Sequence, residues 1–141
     1  METKGFSIIE IIFVLAIISI ILIVATPKMK NIFLNSYKTQ IKSNITLIRE
    51  GIAKEKNRLI LANSMETLNS LDDGDENLFK KVLQTPILES QIPKGGNWMR
   101  VGLNSYKVFI DDSTEITFNY DPNSYSFDCD FNNKLCKELT Y

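Results

Sequence analysis

The chain has 141 residues, with 16 Lys/Arg, 17 Asp/Glu and no histidine, for a net charge of −1. The missing histidine excludes imidazole acid–base catalysis and nearly all catalytic zinc sites. A Gly-rich phosphate loop and a nucleophile elbow are also absent, so the sequence carries no signature of an enzyme.

The first element is an apolar run. Residues 6–26 are 21 positions with one charge, Glu10. As a helix they measure about 31 Å, which matches a hydrocarbon core of about 30 Å. A core helix of a small soluble protein is seldom apolar on every face, so a single-pass membrane helix is expected. The rival is a cleaved secretory signal. Its apolar region should be shorter and end in a small-x-small site. Val24-Ala25-Thr26 fits that poorly, and Pro27 follows directly. Lys4 is offset by Glu2, and Lys28 and Lys30 stand on the far side, so the positive-inside rule sets no orientation.

Glu10 needs a reason. A carboxylate at the centre of a spanning helix costs about 2.5–3.5 kcal/mol, and less near an end. One reading is an acid tolerated near the interface. The sharper one is a charge awaiting a cation from another subunit, since ionisable groups in spanning segments are by default functional.

The residues Gly5-Phe6-Ser7-Ile8-Ile9-Glu10, followed by the apolar run, resemble the prepilin signal of the type IV pilin and type II secretion pseudopilin superfamily. The resemblance in motif covers about residues 1–30. It implies a leader of residues 1–5, cut after Gly5 by a prepilin peptidase that then methylates the amine of Phe6. It also implies that Glu10 pairs with a neighbouring subunit's terminal amine and sets assembly register. Residues 6–27 become a transmembrane and assembly helix. Pro27 stands where many type IV pilins have a proline.

Pro27 lacks an N–H and crowds the carbonyl four residues earlier, which predicts a kink or interruption. A second helical stretch is expected over residues 28–63. There Leu34, Tyr37, Ile41, Ile45, Ile48, Ile52 and Leu59 recur at steps of three, four or seven as one apolar stripe. The stripe fits a coiled-coil seam or, better, a surface packed on a sheet. Gly51 in its interior costs about 1 kcal/mol against alanine and suggests a bend.

Residues 64–141 read as a globular head. Asp72-Asp73-Gly74-Asp75-Glu76 is a breaker, and residues 78–83 are expected to form a short helix ahead of Pro86. From Trp98 the period changes to two. Residues 98–103, 106–110, 115–120 and 124–131 read as four strands. Their short polar connections imply an antiparallel meander. Ile116, Phe118 and Tyr120 share one face, as do Tyr125, Phe127, Cys129 and Phe131. The expected fold class is α+β, a long N-terminal helix on a small antiparallel sheet of about four strands. That is also the pilin head architecture.

Charge is uneven along the chain. Residues 28–63 hold eight Lys/Arg and two Glu, whereas residues 64–141 hold seven Lys/Arg and thirteen Asp/Glu. A basic stalk and an acidic head could attract each other between subunits, or be two ordinary solvated surfaces. If the head is periplasmic, as the resemblance implies, Cys129 and Cys136 should form a disulfide. It would pin the last strand to the tail, as C-terminal disulfide loops do in many pilins. Asp128 and Asp130 flank Cys129, and Asp72, Asp73 and Asp75 cluster in a loop; these are weak calcium candidates, as some pseudopilins bind calcium. No complete ligand set is visible, so solvated acids are favoured and no cofactor is expected.

The resemblance implies a non-enzymatic subunit held in a bacterial inner membrane, its C-terminal domain in the periplasm. Its partners would be the prepilin peptidase, other pilin or pseudopilin subunits and an inner-membrane assembly platform. The secretion pseudopilus is the first choice because the head is small. A surface type IV pilus and a DNA-uptake pilus are the alternatives. Direct nucleic-acid binding is not expected of an acidic head. A membrane-tethered periplasmic binding module that never polymerises is the reading of another class.

Overall fold

The computed structural model describes residues 7–141. The chain divides into two compact units, Met1–Asn35 and Ser36–Tyr141. A 54-residue helix, α1 (Ile8–Leu61), contributes to both. It is longer than either sequence element. Pro27 removes one helical hydrogen bond, but the helix is not interrupted there.

In the first unit α1 is long and apolar enough to cross a membrane. Its large apolar side chains are exposed, from Ile8 at 77% to Ile17 at 46%. The two hydroxyls of this stretch bond back into the helix. Ser19 donates to the Leu15 carbonyl at 2.8 Å and Thr26 to the Leu22 carbonyl at 2.7 Å. Neither therefore adds an unsatisfied polar group in an apolar medium.

In the second unit the stripe is buried. Ile41, Ile45, Ile48 and Ile52 are at most 2% exposed and Leu59 is buried with them. They share one core with the sheet, and each contributes about 1.5–3 kcal/mol by burial. Gly51 has a role other than bending. A Cβ at this position would overlap the Val82 carbonyl oxygen and come within 3.0 Å of the Val82 Cβ. The missing side chain lets the loop backbone lie against the helix.

Two strands precede the main sheet, β1 (Asn77–Leu78) and β2 (Ile87–Leu88), paired antiparallel. The expected helix over residues 78–83 does not form. Phe79 instead takes a φ of 61°, unusual for a bulky residue. That turn drops its ring into the core, edge-on to Trp98 at 5.4 Å and against Tyr106 at 4.4 Å. Ring burial there outweighs local helix preference.

The main sheet has the order β3 (Trp98–Gly102), β4 (Ser105–Phe109), β5 (Glu115–Asp121), β6 (Ser126–Cys129). All neighbours are antiparallel, as the short connections predicted. Asp side chains organise the turns. Asp111 accepts from the Ser113 and Thr114 N–H groups, and Asp121 from the Asn123 N–H and the Ser124 hydroxyl. These bonds hold both carboxyls below the usual aspartate range. Ile116, Phe118, Tyr120, Phe127 and Cys129 are buried as expected. Phe131 is not: β6 ends at Cys129, and Phe131 is 41% exposed. A final helix, α2 (Lys134–Thr140), was not expected from sequence. The Asn133 side chain caps it, accepting from the Leu135 N–H at 2.9 Å.

Candidate functional site

Gly5 and Phe6 lie outside the described residues. Glu10 lies in the first turn of α1, where the helix dipole favours an acid. Its side chain is exposed, and no ion pair engages it among the described residues. The carboxylate is thus presented outward from an otherwise apolar stretch.

In the second unit, Cys129 and Cys136 are joined by a disulfide with Cα atoms 5.8 Å apart. Both sulfur residues are buried in the core. The bridge ties the end of β6 to α2, whose Leu139 packs in the same core. Closing so short a loop should stabilise by about 2–3 kcal/mol on the chain-entropy account.

Asp128 and Asp130 do not converge. Asp128 accepts from Arg49 Nη2 at 2.6 Å, while Arg49 Nε donates to the Phe127 carbonyl at 3.1 Å. Asp130 caps the Asn132 N–H. Among the described residues no group of three or more His, Cys, Asp or Glu forms a metal-binding set.

Arg49 also speaks to the charge asymmetry. Together with Lys38, which reaches Glu138 at 2.8 Å, it connects the basic part of α1 to the acidic C-terminal region of the same chain. Lys56 adds a contact over the Tyr125 ring at 5.1 Å. Lys38 holds the Glu138 carboxyl below the usual range, chiefly through that hydrogen bond. Part of the opposite charge along the sequence is therefore matched within one subunit.

Sequence reasoning weighed Asp72 only as one of a loop cluster and missed its burial, the deepest of any acid among the described residues. Asp72 is 4% exposed. It accepts from the Tyr106 hydroxyl at 2.7 Å and from the Gly74 N–H at 3.1 Å, and stands 3.3 Å from Arg100 Nη2. Arg100 also donates to the Asp75 carbonyl. The cluster clamps the loop before β1 to the sheet. Burial, and then the bond to Asp72, pushes the Tyr106 phenol well above the ordinary tyrosine range. Asp72 is one of several acids in a breaker, and nothing local marks it. Only the sheet register brings Tyr106 and Arg100 beside it, as neighbours on paired strands.

A cleft of about 320 Å³ adjoins this cluster, lined by Asp72, Asp73, Lys81, Arg100 and Leu103 among others. A second, of about 390 Å³, lies between α1 at Leu47 and Gly51 and the loop at Val82–Ile87. Each charged group lining the first is engaged within the chain, so the cleft presents no free nucleophile–base pair. Comparison with protein-family models, with curated proteins and with solved structures gives no match to this chain.

Proposed function

We propose that the chain is a pilin-like structural subunit. In this reading a prepilin peptidase cuts after Gly5 and methylates Phe6. The mature subunit is held in a bacterial inner membrane by α1, its head in the periplasm, until an assembly platform moves it into a filament. The function is assembly rather than catalysis. The apolar half of α1 passes from lipid to the company of neighbouring helices, and Glu10 pairs with the Phe6 amine of another subunit.

The observation that carries the reading is Glu10 itself. It is an outward carboxylate one turn into an apolar helix, unpaired among the described residues, and follows four residues after the Gly5-Phe6 motif. A lone charge in such a segment is favoured only if a partner arrives. The long helix joined to a small α+β unit with a disulfide supports the same reading.

Among filaments, the small head favours a type II secretion pseudopilus over a surface pilus or a DNA-uptake pilus. A deletion strain assayed in parallel for protein export, surface motility and transformation separates them. Loss of export is expected; loss of transformation alone overturns the secretion reading. Glu10→Ala should leave processing intact and block incorporation into filaments. Normal incorporation would remove the register role. A chain that is never incorporated, with or without Glu10, would point to a tethered binding module.

A further inference from the structure

Beyond the spanning run, α1 keeps an apolar face. Met29, Ile32 and Phe33 are 53%, 65% and 53% exposed. By helical spacing, Ile32, Met29 and Phe33 stand at about 40°, 100° and 140° around the axis from Lys28, and Lys30 at about 200°. Asn31 falls on the far side at about 300°, with half-buried Leu34 at about 240°, and Asn35 stands beside Lys28 at about 340°. The result is an apolar wedge with one lysine on each flank. Polar flanks of this kind mark helices that lie against a membrane interface, their long cations reaching the headgroups.

The wedge continues the row of Ile11, Leu15, Ile18, Leu22 and Ala25, at alternating steps of four and three. Position along the axis matters too. A helix entering the hydrocarbon near Ile8 fills its roughly 30 Å with about 20 residues. Ile32 and Phe33 then stand about 6–9 Å further out, at the outer edge of a headgroup layer about 5–7.5 Å thick on each side. Spanning helices tilt by about 20° on average, and a tilt toward the wedge lowers this face onto the membrane.

Charge points the same way. Residues 11–49 contain no Asp or Glu. Lys28 and Lys30 are exposed, and no ion pair engages them among the described residues. A parallel second copy packed on the wedge in register would set these lysines against their counterparts. Anionic lipid would neutralise them.

We propose that the Met29–Ile32–Phe33 face rests in the headgroup layer of the bilayer that α1 spans, with Lys28 and Lys30 on the phosphates of anionic lipid. The inference rests on the membrane-spanning part of the reading above. It assigns the first turns outside the hydrocarbon as a lipid-binding surface while the subunit waits in the membrane.

The native cysteines are joined to each other, so a single introduced thiol in the full chain takes a spin label. Labels at Ile18→Cys, Ile32→Cys and Asn35→Cys are compared in phosphatidylcholine vesicles with and without phosphatidylglycerol. Accessibility to oxygen and to a water-soluble nickel chelate is read at each. With phosphatidylglycerol present, Ile18 and Ile32 should favour oxygen and Asn35 the chelate. Adding Lys28→Gln and Lys30→Gln should lower the oxygen-to-nickel ratio at Ile32 severalfold and leave Ile18 unchanged. If Ile32 is as open to nickel as Asn35 while Ile18 favours oxygen, this inference is overturned alone. If Ile18 itself favours nickel, the spanning reading fails. If Ile32 is closed to both reagents and shows spin–spin broadening, a second copy covers the face and the lipid proposal is wrong.

Discussion

Residues 8–35 and 36–61 belong to one helix, yet their isoleucines have opposite surroundings. Ile8, Ile9, Ile12 and Ile20 are 60–77% exposed, while Ile41, Ile45, Ile48 and Ile52 are at most 2% exposed. Both stretches are helical, so secondary structure does not decide where an apolar side chain goes. The second unit brings its own cover, a sheet whose inner face supplies Trp98, Tyr106, Phe118 and Phe127. Among the described residues of the first unit no such cover is present, and the apolar side chains of α1 stay exposed. The contrast separates a stretch covered by its own chain from one whose apolar side chains are left exposed.

The sharpest way to break this contrast is to remove equivalent groups from each unit. Asp72→Ala strips the buried partner of Tyr106 and Arg100. It should destabilise the second unit by about 3 kcal/mol, read by urea denaturation. Ile48→Ala should cost about 2–4 kcal/mol in the same measurement. Ile18→Ala, with the same atoms removed from the first unit, should leave the denaturation midpoint unchanged. A matched loss from Ile18→Ala would mean that the two units share a core.

Gly51→Ala tests the helix–loop contact. Helix propensity alone predicts a gain of about 1 kcal/mol. The overlap with the Val82 carbonyl should reverse the sign, for a net loss of about 1–2 kcal/mol. A gain in thermal stability would show that the loop can retreat freely.

The smallest effect is one of alkali. Burial pushes the Tyr120 phenol up to about 12, from an ordinary value of 10.0, and Tyr106 is raised further. Above pH 10 the unfolded chain releases these protons and the folded one keeps them. The stability they contribute is thus complete below about pH 10 and is lost as pH rises toward 12. Thermal melts across that range should fall for the wild type and fall less for Tyr120→Phe. Equal falls would assign the alkaline loss to other groups.

Much of this architecture was legible in the residues. The stripe of Ile41, Ile45, Ile48 and Ile52 and the alternation of Ile116, Phe118 and Tyr120 are strong periodic signals, and both faces are buried. The failures fall where long-range packing overrides local preference. Residues 78–83 have helical composition, but Phe79 gains more by turning its ring into the aromatic core. α2 is short, and its hold on the domain comes from the disulfide and Leu139 rather than from a pattern of its own. Asp72 is indistinguishable from Asp73 and Asp75 until the strands pair. Of the candidate site, Glu10 is readable because one acid in an apolar run stands out, whereas the counterpart proposed for it is a group that only cleavage would create.

Intact mass and terminal sequencing of the mature chain, purified from its native cells, test the central claim most directly. A pilin-like subunit begins at Phe6, with one methyl group on its terminal amine. A chain that still begins at Met1 contradicts the account, because Glu10 would then have no Phe6 amine to meet.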